Sequence, residues 1–128
     1  MAEMSDYLEN KILDYVLRDT ADWAPTAVYL ALHTGDPTDV TSAGLANEVD
    51  VTRQAIEFDA AHATTGVTQN TNIETFTSMP AVTVTHIGIW DHVSAGNLLF
   101  HTAVTSSKEV ASGDTITVAA GAITITLA

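Results

Sequence analysis

Between Thr85 and Val104 the chain reads THIGIWDHVSAGNLLFHTAV, which gathers His86, His92 and His101 with Asp91 and Trp90 into twenty residues. Imidazole and carboxylate groups bind divalent metals and move protons, so chemistry is sought here first. A zinc centre needs three or four such groups converging at roughly 2 Å from the ion. Alternation along AVTVTHIGIWD puts Val82, Val84, His86, Gly88 and Trp90 on one strand face, and Thr83, Thr85, Ile87, Ile89 and Asp91 on the other. With DHVSAGN as a hairpin loop and LLFHTAV as the returning strand, His86 and His101 fall on neighbouring strands, while Asp91 and His92 lie in the turn. No fixed-spacing signature such as H-E-x-x-H joins them. The expectation is histidines partnered in or beside the core, with no metal and no cofactor, and Trp90 in the core or at a subunit interface.

Other chemistries find less support. ALHTGD has the rhythm of the aspartic-protease loop, but His33 stands where the catalytic carboxylate belongs, and that mechanism needs paired aspartates sharing a proton. There is no G-x-S-x-G elbow, P-loop or dinucleotide fingerprint. Carboxylates for glycoside cleavage need only spatial proximity, and nothing singles out a pair. With no cysteine, disulfides, thiolate metal sites and cysteine nucleophiles are excluded. No catalytic residue is assigned, and an enzyme is not expected.

The elements that would position these side chains form one domain over residues 1–128, since a chain of this length buries about two thirds of its unfolded surface and leaves little for a second core. No apolar run approaches the roughly 20 residues a membrane-spanning helix needs. MAEMSDYLENK has no basic region ahead of an apolar core, so a cytoplasmic site of synthesis is expected, with no membrane partner. Sixteen acids against four bases (Lys11, Arg18, Arg53, Lys108) give a net charge of -12, which repels phosphate backbones and argues against nucleic acid.

The one clear helix covers residues 5–19, with Ser5 or Asp6 able to cap it and Glu9 three residues beyond Asp6. Leu8, Ile12, Leu13, Tyr15, Val16 and Leu17 spread over roughly half its circumference, more than one sheet face requires. Either the helix plugs one end of its own domain, or it also makes a subunit contact. After VYLALH comes a loop-like stretch, residues 34–50, carrying Asp36, Asp39, Glu48 and Asp50 and no basic residue; its length suits either a partner-binding loop or a plain connection. Then VTRQAIEF, VTQNTNIETF, AVTVTHIGIW, NLLFHTAV, TITVAA and AITITLA follow, parted by HATTG, SMP, DHVSAG, SSKEVASGD and AG. The pattern predicts a mainly β chain: an antiparallel sandwich or jelly-roll-like domain of about seven or eight strands preceded by one amphipathic helix. No repeat, heptad or collagen period supplies a fibrous shaft.

Taken in order, SDYLENKILDYVLR, VYLALHTGDPTD, TRQAIEF, VTHIGIWD, AGNLLFHTAV and SGDTITVAAGAITITLA resemble a family of small bacteriophage virion proteins often labelled tail-fibre proteins. The resemblance runs through almost the whole chain. It implies a virion location and capsid or tail proteins as partners, and it carries no active-site residues. A compact domain without a shaft leads first to a capsid cement or decoration module that stabilises the head through subunit contacts, as a homo-oligomer with a trimer favoured. The second reading is a small tail-fibre or baseplate component that binds a host receptor or glycan, with Trp23 either its exposed aromatic contact or buried behind the helix. Interface expectations fall on Leu8, Ile12, Tyr15 and Val16 of the helix, on Asp36, Asp39, Glu48 and Asp50 of the acidic stretch, and on Trp90.

Overall fold

The computed structural model describes residues 2–18 and 24–127. Nine strands and two helices are formed among them, and all the strand pairing is antiparallel. In chain order these are β1 (Glu3–Met4), α1 (Asp6–Arg18), β2 (Val28–His33), α2 (Thr41–Asn47), β3 (Gln54–Ile56), β4 (Val67–Gln69), β5 (Glu74–Phe76), β6 (Val82–Trp90), β7 (Leu98–Val110), β8 (Ile116–Val118) and β9 (Thr124–Thr126). Five strands make the main sheet in the order β1-β7-β6-β2-β3, while β4 pairs with β9 and β5 with β8 as separate two-stranded ribbons. No helix among the described residues is long and apolar enough to cross a membrane.

The centre of the sheet, at β2 and β6, is buried on both faces, which is why these two strands read as nearly continuous apolar runs. On one face Leu30 and Leu32 of β2, Ile56 of β3 and Val84, Ile87 and Ile89 of β6 pack against Phe76 of β5, Met79 and Ile123 and Ile125 of the ribbon layer. This is the principal core and the sandwich proper. On the other face Ala31, Trp90 and Leu98 form a smaller cluster, lidded by α2 and by the start of α1. The pairing of β6 with β7 shifts between Val84 and His86, and across that shift Val84 joins Ile87 and Ile89 in the core. Simple alternation had placed Val84 on the opposite face from them. A second shift, between Ile89 and Trp90, buries both Leu98 and Leu99.

Three expected elements differ. VTQNTNIETF is two short strands, because the buried Asn70 accepts from the Ile123 backbone N–H and donates to the Asn72 and Ala119 carbonyls, turning the chain out of one sheet and into the next. SSKEVASGD is largely strand: β7 runs on to Val110, paired with Val82, and only a short turn at Gly113 (φ 89°) remains. The stretch 34–50 is not wholly loop, since TSAGLAN forms α2, and His33 and Glu48 pair as an isolated bridge.

Helix α1 starts at a cap that serves the sheet as well. Ser5 is fully buried; its hydroxyl accepts from the Leu8 N–H and donates to the Leu98 carbonyl, and its own N–H donates to Leu99 O at 2.8 Å. Between Ser5 and Asp6, the side-chain cap is therefore Ser5.

Candidate functional site

Three of the four acids in residues 34–50 meet a fixed partner, Asp36 and Asp39 at His101 of β7 and Glu48 at Arg53, just ahead of β3. The most buried arrangement is built on Trp90, which has no exposed surface. Its indole N–H donates to His33 Nε2 at 3.4 Å, and His33 Nδ1–H donates to Asn47 Oδ1 at 2.9 Å, so His33 is the neutral tautomer carrying its proton on Nδ1. Burial pushes the His33 pKa below 6.5; the Asn47 hydrogen bond and the Glu48 charge oppose that shift more weakly. Two glycines make room for these rings. A Cβ on Gly88 would lie 2.7 Å from His33 Nε2 and 2.9 Å from Trp90 Nε1, and one on Gly44 would lie 2.9 Å from Trp90 Cζ2.

Arg53 lies over the indole ring, its guanidinium carbon 4.0 Å from the centroid. Arg53 Nε and Nη2 donate to Glu48 Oε1 and Oε2 at 2.6 and 2.7 Å, and Nη1 donates to the carbonyls of His92 and Ala95 at 2.8 Å each. One nearly buried cation thus ties the acidic stretch to the β6–β7 hairpin. The hairpin is itself clasped by Asp91, whose Oδ1 accepts from the Asn97 N–H at 2.7 Å and whose Oδ2 accepts from the Asn97 amide at 2.9 Å. Gly96, at φ 69°, passes so close that a Cβ there would lie 2.5 Å from Asp91 Oδ1. A cleft of about 480 Å³ opens beside this assembly, with Leu45, Glu48, Arg53 and Val93 among its walls.

His101, 4% exposed, stands between two acids of the same stretch: Nε2 is 3.0 Å from Asp39 Oδ1, and Nδ1 is 3.5 Å from Asp36 Oδ1. Its direct cross-strand neighbour is Glu3 of β1. Glu3, Asp39 and His101 offer ligand atoms that all lie within 4.8 Å of one another. This is not the set suggested by THIGIWDHVSAGNLLFHTAV. His86 pairs with Ala103 rather than His101 and bonds the Thr85 hydroxyl, while His92 sits in the hairpin and contacts Ser94. Those three histidines do not converge.

The other expected surface residues divide. Leu8 is buried and Ile12 half-buried against the sheet side, whereas Tyr15 and Val16 are exposed at 58% and 66%, with Leu13 and Leu17 exposed beside them. Asp50 is exposed. Trp90 is corrected from interface residue to core residue: its ring is closed in by Gly44, His33 and Arg53 of its own chain and presents nothing to a partner. Trp23 lies outside the described residues.

The sequence also undervalued Arg53, counted only among the four bases, and it assigned nothing to Glu3 or Asn47. For Arg53 a signal was present: one of four bases set among acids, five residues after Glu48, is poised for a bidentate pair. No signal marked Glu3, which reaches His101 only through the pairing of β1 with β7.

Among the described residues no buried side-chain nitrogen or oxygen lacks a partner. No curated protein matches the chain. A family model does match, over residues 3–126, and that span takes in every element from β1 to β9. By that match the chain belongs to the phage fibre family Gp80, described as podophage GP4 fiber I protein gp80.

Proposed function

We propose that this chain is a non-enzymatic structural component of a phage tail, a small fibre or baseplate module that works in several identical copies. The family match over residues 3–126 carries the reading, because the family is described as a fibre protein. It moves the tail component, second on sequence grounds, ahead of capsid cement. The physical features support a docking module. The sheet's second face is braced by Arg53, His33 and Ser5, the 34–50 stretch is anchored at Glu48, Asp36 and Asp39, and the apolar residues Leu13, Tyr15, Val16 and Leu17 stand exposed on α1. An exposed apolar stripe on a helix is the surface that self-association or a tail partner would cover. A net charge of -12 argues against nucleic acid as that partner.

The test is location and number. Heads and tails from disrupted virions, separated and quantified by mass spectrometry, should place the protein in the tail fraction at a few to a few tens of copies per particle. Hundreds of copies in the head fraction would restore the capsid reading. Light scattering on the purified chain should give a homo-oligomer, with a trimer expected.

A further inference from the structure

We infer that Glu3, Asp39 and His101 form a binding site for a first-row divalent transition ion of the zinc class, oriented by Asp36. The inference does not rest on the tail assignment. Three atoms no more than 4.8 Å apart have a common centre within about 2.8 Å of each, so contraction of under 1 Å per ligand reaches zinc bonding distances of about 2.0–2.2 Å. The 3.0 Å separation of His101 Nε2 from Asp39 Oδ1 is already close to one edge of such a tetrahedron, about 3.3 Å.

Two things set this group apart from an ordinary patch of surface acids. One donor is an imidazole nitrogen on a side chain only 4% exposed and held by strand β7, so part of the site is fixed before any ion arrives. The second is on the far side of that ring: Nδ1 faces Asp36 Oδ1 at 3.5 Å, the carboxylate–histidine arrangement that fixes the tautomer and turns Nε2 toward a metal. Imidazole with two carboxylates favours zinc, cobalt, nickel or copper over calcium or magnesium, which prefer all-oxygen sets. A fourth position would be left to water or to a partner's side chain. The ion would fasten β1, at the start of the chain, and the 34–50 stretch onto the edge half of the main sheet, where Asp6 N–H already donates to Asp39 O at 3.1 Å.

The experiment is calorimetric titration of tag-free, chelator-stripped protein with zinc chloride, paired with thermal unfolding with and without the metal. Saturable binding of one zinc per chain and a raised unfolding midpoint are expected. Glu3→Gln and Asp39→Asn, both at exposed positions, should each abolish or greatly weaken binding while the chain stays folded, and Asp36→Asn should weaken it 10- to 100-fold at unchanged stoichiometry. His101→Ala should abolish binding, and His92→Ala, in the hairpin, should leave it intact. Absence of saturable zinc binding, binding that survives Glu3→Gln and Asp39→Asn, or a response to calcium with none to zinc would each overturn the site.

Discussion

Arg53 and Trp90 are mutually dependent. The indole supplies a flat apolar floor, the guanidinium lies over it, and the five N–H donors of arginine allow a bidentate pair with Glu48 together with two carbonyls of the hairpin. Lysine keeps the charge but is a point donor that can reach neither the fork of Glu48 nor both carbonyls. Arg53→Lys should therefore cost about 3 kcal/mol, read as a fall in the urea midpoint at unchanged slope. An equal midpoint would mean that the hairpin and the acidic stretch hold without the cation. Gly88 is argued from space alone. Its missing Cβ is where His33 Nε2, Trp90 Nε1 and Leu98 Cδ1 come within 3.0 Å, and two of these belong to fully buried rings that cannot swing away. Gly88→Ala should destabilise by about 1–3 kcal/mol through overpacking, whereas alanine at Gly113, where nothing lies within 4 Å, meets only the strain of a positive φ.

Helix α1 is pinned at its first turns and bare along the rest. Ser5 and Leu8 lock its start to β7, while Leu13, Tyr15, Val16 and Leu17 face outward, so the helix is an anchored peg with an apolar flank. The triple substitution Leu13→Gln, Val16→Gln and Leu17→Gln should leave the unfolding free energy of the unassociated chain, measured at dilutions where both proteins are monomeric, within about 0.5 kcal/mol. It should nevertheless reduce the oligomer to a monomer in light scattering; an unchanged mass would remove this face from the interface. Leu8→Ala should do the reverse, costing about 2–5 kcal/mol as a core deletion. The stripe was legible from the sequence because a 3.6-residue period shows how much of a helix is apolar, although it does not say which part the sheet will cover. Strands β2 and β6 were legible for a similar reason, since both of their faces are buried and their apolar runs stand out. The outer half of β7 was not: Ser106 to Glu109 are all exposed, and a strand wet on both sides is written in loop residues. The Glu3, Asp39 and His101 group was equally hidden, for its members come from β1, the acidic stretch and β7, and only the sheet order brings them together.

At the scale of the whole molecule, stability should follow pH through two buried groups of opposite sign. His33 has a folded pKa below its ordinary 6.5 because burial disfavours the imidazolium, so above that value neither state holds the proton and the group is silent. As pH falls through 6.5 the unfolded chain takes up a proton that the folded chain refuses. Stability therefore drops, by at most about 1.4 kcal/mol per pH unit, until the lowered folded value is reached. Glu74 is raised above its ordinary 4.5, chiefly by burial, with the Asn72 amide opposing and the neighbouring Glu57 charge assisting. Here the folded chain protonates first, and stability is regained as pH falls through the raised value toward 4.5. The titration of unfolding free energy should accordingly slope down from about pH 6.5 and then flatten, on top of whatever the other carboxylates of this acidic chain contribute. His33→Gln, which cannot titrate, separates the first effect: its difference from the wild type should shrink steadily as pH falls below 6.5, because only the wild type loses stability to histidine protonation. Measured by urea unfolding at fixed ionic strength, curves that run parallel between pH 7 and pH 5 would mean that His33 charges as readily in the fold as outside it, and that the Trp90–His33–Asn47 chain opens to admit the proton.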